Sequence, residues 1–146
     1  MKKWVMMVGG IILFAAFVFM NRTGLERRNN AKLEQMGENA GIFRSFFSEL
    51  ESNTGCWVLI TSGYRSTEKQ RILHNKNPKN APPGKSRHEW KKAMDINLLC
   101  WDGALRKATA KEKWKRKKVD ALAKKHNLIW GGDFRSYYDP VHFAIR

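Results

Sequence analysis

The chain of 146 residues carries 28 Lys and Arg against 13 Asp and Glu, a net charge of +15 with neutral histidines. That length holds one compact domain around one hydrophobic core and leaves no room for a second. The charge points to a polyanionic partner surface, whether nucleic acid, acidic lipid headgroups or the anionic polymers of a cell envelope, and charge alone does not choose among them.

Lys2 and Lys3 precede an uncharged run from Trp4 to Met20, about as long as a helix that crosses a bilayer core, roughly 17–25 residues. No polar face interrupts it, as one would on a globular helix. No small-x-small cleavage site follows between Phe17 and Arg22. Residues 1–20 therefore read as a transmembrane signal-anchor, with a cleaved secretory signal as the alternative. Basic residues on both sides, Lys2 and Lys3 before and Arg22, Arg27 and Arg28 after, leave its orientation open. Residues 21–38 are polar and read as a juxtamembrane linker with room for a partial helix, ahead of a domain at 39–146.

Ile42, Phe43, Phe46, Phe47 and Leu50 recur at helical spacing and predict an amphipathic helix ending near Gly55. Cys56–Ile60 is a strand-like run leading into the turn Thr61-Ser62-Gly63-Tyr64-Arg65-Ser66. A helix carrying Ile72 and Leu73 follows, with Thr67 and Gln70 in capping-box spacing. Pro78, Pro82, Pro83 and Gly84 predict a loop. Ala93–Leu99 is a second strand. Thr109 and Glu112 offer a capping box for one long basic helix reaching about His126, whose cations are a solvated face or a surface for an anionic polymer. Leu128–Trp130 and Val141–Ile145 supply the last strands. Helices and strands without regular alternation predict an α+β domain. Cys56 and Cys100 form no C-x-x-C pair, which excludes a cysteine-built zinc site; a disulfide and two free thiols are both open.

Two of the four histidines stand with two carboxylates in Ser86-Arg87-His88, Asp95 and Asp139-Pro140-Val141-His142. Imidazole nitrogen and carboxylate oxygen are good zinc donors, and a catalytic zinc keeps three protein ligands with one position open for water. Asp95 between Met94 and Ile96 costs several kcal/mol if buried unpaired, so it calls for a metal or a cation. Ser62-Gly63-Tyr64-Arg65-Ser66 with Gln70 and Leu73, Ser86-x-His88 with Ala93-x-Asp95, and Trp130-Gly131-Gly132-Asp133-Phe134 running to Asp139-x-x-His142-Phe143 resemble, in order, the blocks of peptidase family M15, the D-alanyl-D-alanine carboxypeptidases and L-alanyl-D-glutamate endopeptidases. Its phage endolysin and bacterial cell-wall endopeptidase branch is the most similar. The likeness spans about Ile42 to Arg146.

The resemblance implies the zinc D-Ala-D-Ala-peptidase-like (hedgehog-like) fold, a small antiparallel sheet flanked by helices. It implies Zn2+ held by His88, Asp95 and His142, Asp139 as general base, and Arg65 steadying a substrate carboxylate or oxyanion. Ser86, Gln70 and Tyr64 fall at substrate-side positions. The implied partner is peptidoglycan, on the outer side of the membrane, with the basic helix against anionic envelope polymers or lipids; release after signal cleavage is the alternative. L-alanyl-D-glutamate cleavage is favoured over D-alanyl-D-alanine cleavage. One departure is Lys91, where the family carries glycine; if that position has positive φ, lysine there costs about 1 kcal/mol or more. A non-catalytic wall-binding or virion module of the same fold is the second reading. A nucleic-acid binder rests on charge alone and has no reading motif. His74 and His126 match no ligand position.

Overall fold

The structure is a computed structural model that describes residues 20–146. The apolar run from Trp4 lies outside these residues except for Met20; among the described residues no helix is long and apolar enough to cross a membrane.

The stretch read as a polar linker is helical over 20–34 (α1) and is part of the domain. Leu25, Leu33 and Met36 are buried in or against the core. Between them, polar side chains on the same face hold an exposed sheet edge. Asn29 donates from Nδ2 to the Val58 carbonyl at 2.7 Å and accepts from the Ile60 N–H at 3.0 Å, so its amide stands where a neighbouring strand would. Lys32 Nζ donates to the Ile60 and Thr61 carbonyls. Arg22 forks onto both oxygens of Glu51, at 3.1 and 2.6 Å, and Glu51 also accepts from the Val58 N–H. An unpaired strand edge templates aggregation, and here α1 covers it.

A short 3-10 turn at Gly37–Asn39 leads into α2, Ala40–Thr54. Phe43, Phe46, Phe47 and Leu50 lie on its buried face, while Ile42 of the predicted stripe faces solvent at the rim. Gly55, at φ 66°, ends the helix, a conformation that glycine adopts without penalty. The strands are β1 (Trp57–Ser62), β2 (Ala93–Cys100), β3 (Gly103–Leu105), β4 (Leu128–Trp130) and β5 (His142–Ile145). All pair antiparallel in the order β1-β2-β5-β4, with β3 also on β2. The sheet is thus the expected small antiparallel one. One face, with Val58, Ile60, Met94, Ile96, Leu98 and Phe143, joins the α2 phenylalanines in the core; Phe46 and Phe143 rings are 5.0 Å apart. Because side chains alternate along a strand, Asp95 and His142 point to the other face.

Three local readings change. Helix α3, Thr67–Lys76, is capped by Ser66, whose hydroxyl accepts from the Lys69 N–H, and not by a Thr67–Gln70 box. It buries Gln70 while Ile72 stays exposed. The long basic helix is two, α4 (Lys111–Arg116) and α5 (Val119–Lys125), broken where Lys118 sits at φ 54°. Ala110 caps α4, and the Thr109 hydroxyl instead accepts from the Arg106 N–H. Cys56 and Cys100 form a disulfide tying the start of β1 to the end of β2.

Candidate metal centre

Sheet register assembles the centre. Asp95 on β2 pairs with His142 on β5 and with Ser62 on β1, next to an irregularity between Ile60 and Ser62. Directly opposed residues share a face, so the carboxylate and the imidazole meet: Asp95 Oδ1 lies 2.9 Å from His142 Nδ1. His88 arrives from the loop before β2. Its Nδ1 donates to the Gly63 carbonyl at 2.8 Å, which orients the ring so that Nε2 faces Asp95 Oδ1 at 3.2 Å. The loop is held by Glu89, whose carboxylate accepts from the Gly84 and Ser86 N–H groups.

One donor atom from each of His88, Asp95 and His142 lies within 4.8 Å of the others. Ligands about 2.0–2.1 Å from a tetrahedral zinc stand about 3.4 Å apart, so the triangle fits such an ion. The three are buried or half-buried, as a closed site requires. Burial opposes the charge on Asp95, but hydrogen bonds and positive charge from His142 and His88 outweigh it and hold this carboxyl well below the usual range. Arg65 adds a cation at 3.4 Å from Asp95 Oδ2.

Asp139 lies near enough to feel the charges of Asp95 and His142. Its backbone is fixed at both ends, with Asp139 N–H on the Gly131 carbonyl and His142 N–H on the Asp139 carbonyl, both at 3.1 Å. Its Oδ1 is buried without a hydrogen-bond partner, and the nearest cation, Lys107 Nζ, is 3.7 Å away. Burial and the nearby Asp95 carboxylate raise the Asp139 pKa, against Lys107 and His142. The Trp-Gly-Gly block serves this arrangement. A Cβ on Gly131 would meet the Asp139 carbonyl at 2.3 Å and His142 Cβ at 3.0 Å, and Trp130 Nε1 donates to the Pro140 carbonyl. Gly131→Ala is expected to cost about 1–3 kcal/mol in thermal or urea unfolding and to misplace both Asp139 and His142.

Not every residue on the substrate-side list is open to a substrate. Gln70 is 1 % exposed. Its amide accepts from Arg65 Nη1 at 2.9 Å and donates to the Ala81 carbonyl at 2.6 Å, so it positions Arg65. Ser86 is buried beneath the His88 loop. Arg65 spends N–H groups on Gln70, Ser62 and Asp95, leaving two of its five for a ligand. Tyr64 is exposed, with Lys91 Nζ 5.5 Å above its ring. His74 and His126 stand apart on Asn80 and Glu49. Lys107 and Tyr137 were missed; Lys107 lies in a stretch that reads as charged surface, and the Tyr137 pKa is raised by burial and then by Asp139 and Asp95.

Lys91 has φ 56°, so the glycine-like position is real. Asn39 Nδ2 donates to its carbonyl, and His88 keeps its bond to Gly63 despite the substitution. Lys91→Gly is expected to raise the unfolding free energy by about 1 kcal/mol, measured by denaturant titration.

Residues 79–145 match the family described as D-alanyl-D-alanine carboxypeptidase. Over that span, a little under half of the chain, the protein is similar to peptidase family M15. Several solved structures share the M15 fold seen here. The L-Ala D-Glu endopeptidase ChiX of Serratia marcescens is 20% identical with a TM-score of 0.61, over 82% of this chain and 86% of that one. A mutant of the vancomycin-resistance D,D-pentapeptidase VanY, solved in complex with Zn(II), is 21% identical with a TM-score of 0.55, over 73% and 69%. The LD-carboxypeptidase LdcB is 26% identical with a TM-score of 0.54, over 75% and 57%. The candidate metal ligands Asp95 and His142 face each other at the β2–β5 register.

Proposed function

We propose that the chain is a zinc-dependent peptidase of peptidoglycan stem peptides, with L-alanyl-D-glutamate bonds its preferred target. The observation that carries this is the donor triangle of His88, Asp95 and His142 together with the buried Asp139 Oδ1, which lacks a hydrogen-bond partner. The fold likeness to an L-Ala D-Glu endopeptidase over most of both chains supports the choice of bond.

A bound zinc ion supplies a Lewis acid and a water acidified towards neutrality. The protein does the rest. His88 and His142 would hold the ion through ring nitrogens, and Asp95, steadied by Arg65, would complete the ligand set. Asp139 takes the proton of the attacking water and passes it to the leaving amine. The two free N–H groups of Arg65 hold a substrate carboxylate or the developing oxyanion. Residues 4–20 place the enzyme at a membrane with its domain on the outer side, in a phage endolysin or a wall-remodelling enzyme, or direct its secretion. The disulfide suits such an oxidising compartment. The cations of α4 and α5 face the anionic wall or lipid surface, an attraction that weakens as salt rises.

Zinc content of the purified chain and mass spectrometry of digested peptidoglycan test the reading, and fragment masses identify the bond. Chelation is expected to abolish hydrolysis and lower the melting temperature by roughly 5–10 °C, both restored by zinc. Zinc binding without any released fragment would instead establish the non-catalytic wall-binding module, the reading that the strained Lys91 favours.

A further inference from the structure

A cavity of about 840 Å3 has none of the metal ligands in its lining. It is a groove between β3 and α4, lined by Arg106, Lys113, Arg116 and Lys117 among others. Lys117 is paired with Asp102 at 3.3 Å. Arg106, Lys113 and Arg116 have no acidic side chain within ion-pair distance among the described residues, although this chain neutralises cations elsewhere, as at Arg22, Arg71 and Lys125. Three uncompensated cations around one concavity repel each other, and a concave low-dielectric wall focuses their field on whatever enters.

The groove also adjoins the metal centre. Arg106, Ala108, Thr109 and Ala110 form one wall. From that same loop Lys107 reaches Asp139 at 3.7 Å, and the Thr109 carbonyl accepts from the Tyr138 hydroxyl at 2.7 Å. Lys111, at the start of α4, meets Asp133 at 2.7 Å. The loop that carries Lys107 to Asp139 is thus continuous with the wall of the groove. At the far lip Trp101 is 99% exposed beside the groove residue Asp102, an aromatic face with no partner in the fold.

We infer that this groove is an extended subsite for the acidic flank of the peptidoglycan substrate, holding carboxylates beyond the cleaved bond on Arg106, Lys113 and Arg116. The inference rests on the peptidase reading above and adds to it a reason to prefer polymeric wall over isolated peptides. A concave site favours a strand over a flat bilayer, and complementarity of charge acts on capture more than on the chemical step.

The test uses the full-length zinc-loaded chain and its Lys113→Glu/Arg116→Glu and Arg106→Gln variants, with melting curves confirming that each folds. Co-sedimentation with intact sacculi is expected to weaken about tenfold in the double variant and to lose most of its salt dependence, while kcat/KM on a soluble stem tetrapeptide stays within twofold. Trp101→Ala is expected to weaken sacculus binding without changing its salt dependence. Unchanged sacculus binding in the charge variants, or an equal loss on tetrapeptide and sacculi, overturns the inference. So does tighter groove-dependent binding to a short DNA duplex or to anionic phospholipid vesicles than to sacculi. A wild-type chain that leaves the tetrapeptide whole refutes the peptidase reading itself; one that cuts it while the variants bind sacculi normally refutes the groove alone.

Discussion

Asp139→Asn is expected to lower kcat on stem peptides by about a hundred- to ten-thousand-fold while one zinc per chain remains bound. The substitution keeps size and shape but removes the proton acceptor. Asp139 is three residues from the ligand His142, and the chain between them is pinned by the bonds to Gly131 and His142, so the carboxyl cannot drift. Its environment also raises its basicity: burial favours the protonated form, with the Asp95 charge reinforcing it. The base works deprotonated, so activity rises with pH through a value above that of an ordinary aspartate. Lys107 opposes that shift, and Lys107→Met is expected to move the acid limb of kcat/KM further up in pH, by a small amount because the lysine is largely exposed. Full turnover in Asp139→Asn would remove it from the mechanism.

Deleting residues 1–36 is expected to leave a chain that does not fold on its own or that aggregates, whereas starting it at residue 20 preserves a cooperative transition. Leu25, Leu33 and Met36 are each nearly fully buried, and burying such a side chain contributes about 1.5–3 kcal/mol. Their combined loss is several kcal/mol, comparable with the whole stability of a small domain, about 5–15 kcal/mol. The deletion also strips Asn29 and Lys32 from the β1 edge and leaves Val58, Ile60 and Thr61 with unpaired backbone groups. Calorimetry on the two shortened chains separates the outcomes; equal melting temperatures would show that α1 is dispensable.

The metal centre was legible because its chemistry is written in residue types that structure alone explains poorly, a carboxylate inside an apolar strand and histidines at fixed offsets from it. Helix α2 was legible from the spacing of its phenylalanines. Helix α1 was misread because its inner face alternates Leu25 and Leu33 with Arg22, Asn29 and Lys32. Those side chains are half-buried, Asn29 and Lys32 bonded to the strand edge and Arg22 to Glu51, and hydropathy cannot distinguish them from solvated ones. The break at Lys118 was hidden for a related reason: lysine carries no signal for a left-handed backbone, so an uninterrupted basic run looked like one helix. Gln70 looked like a substrate contact because its position was known while its burial was not.

In the proposed anchoring by residues 4–20, the docking of α1 would fix how far the domain stands from the surface that holds it. Eighteen unstructured residues at 21–38 would let the catalytic centre wander over roughly 20–25 Å and search in depth. With Asn29 stitched to β1 and Arg22 clamped on Glu51, that slack is gone. A peptidase anchored as proposed would work in a thin layer at one standoff, and substrate at other depths would have to come to it.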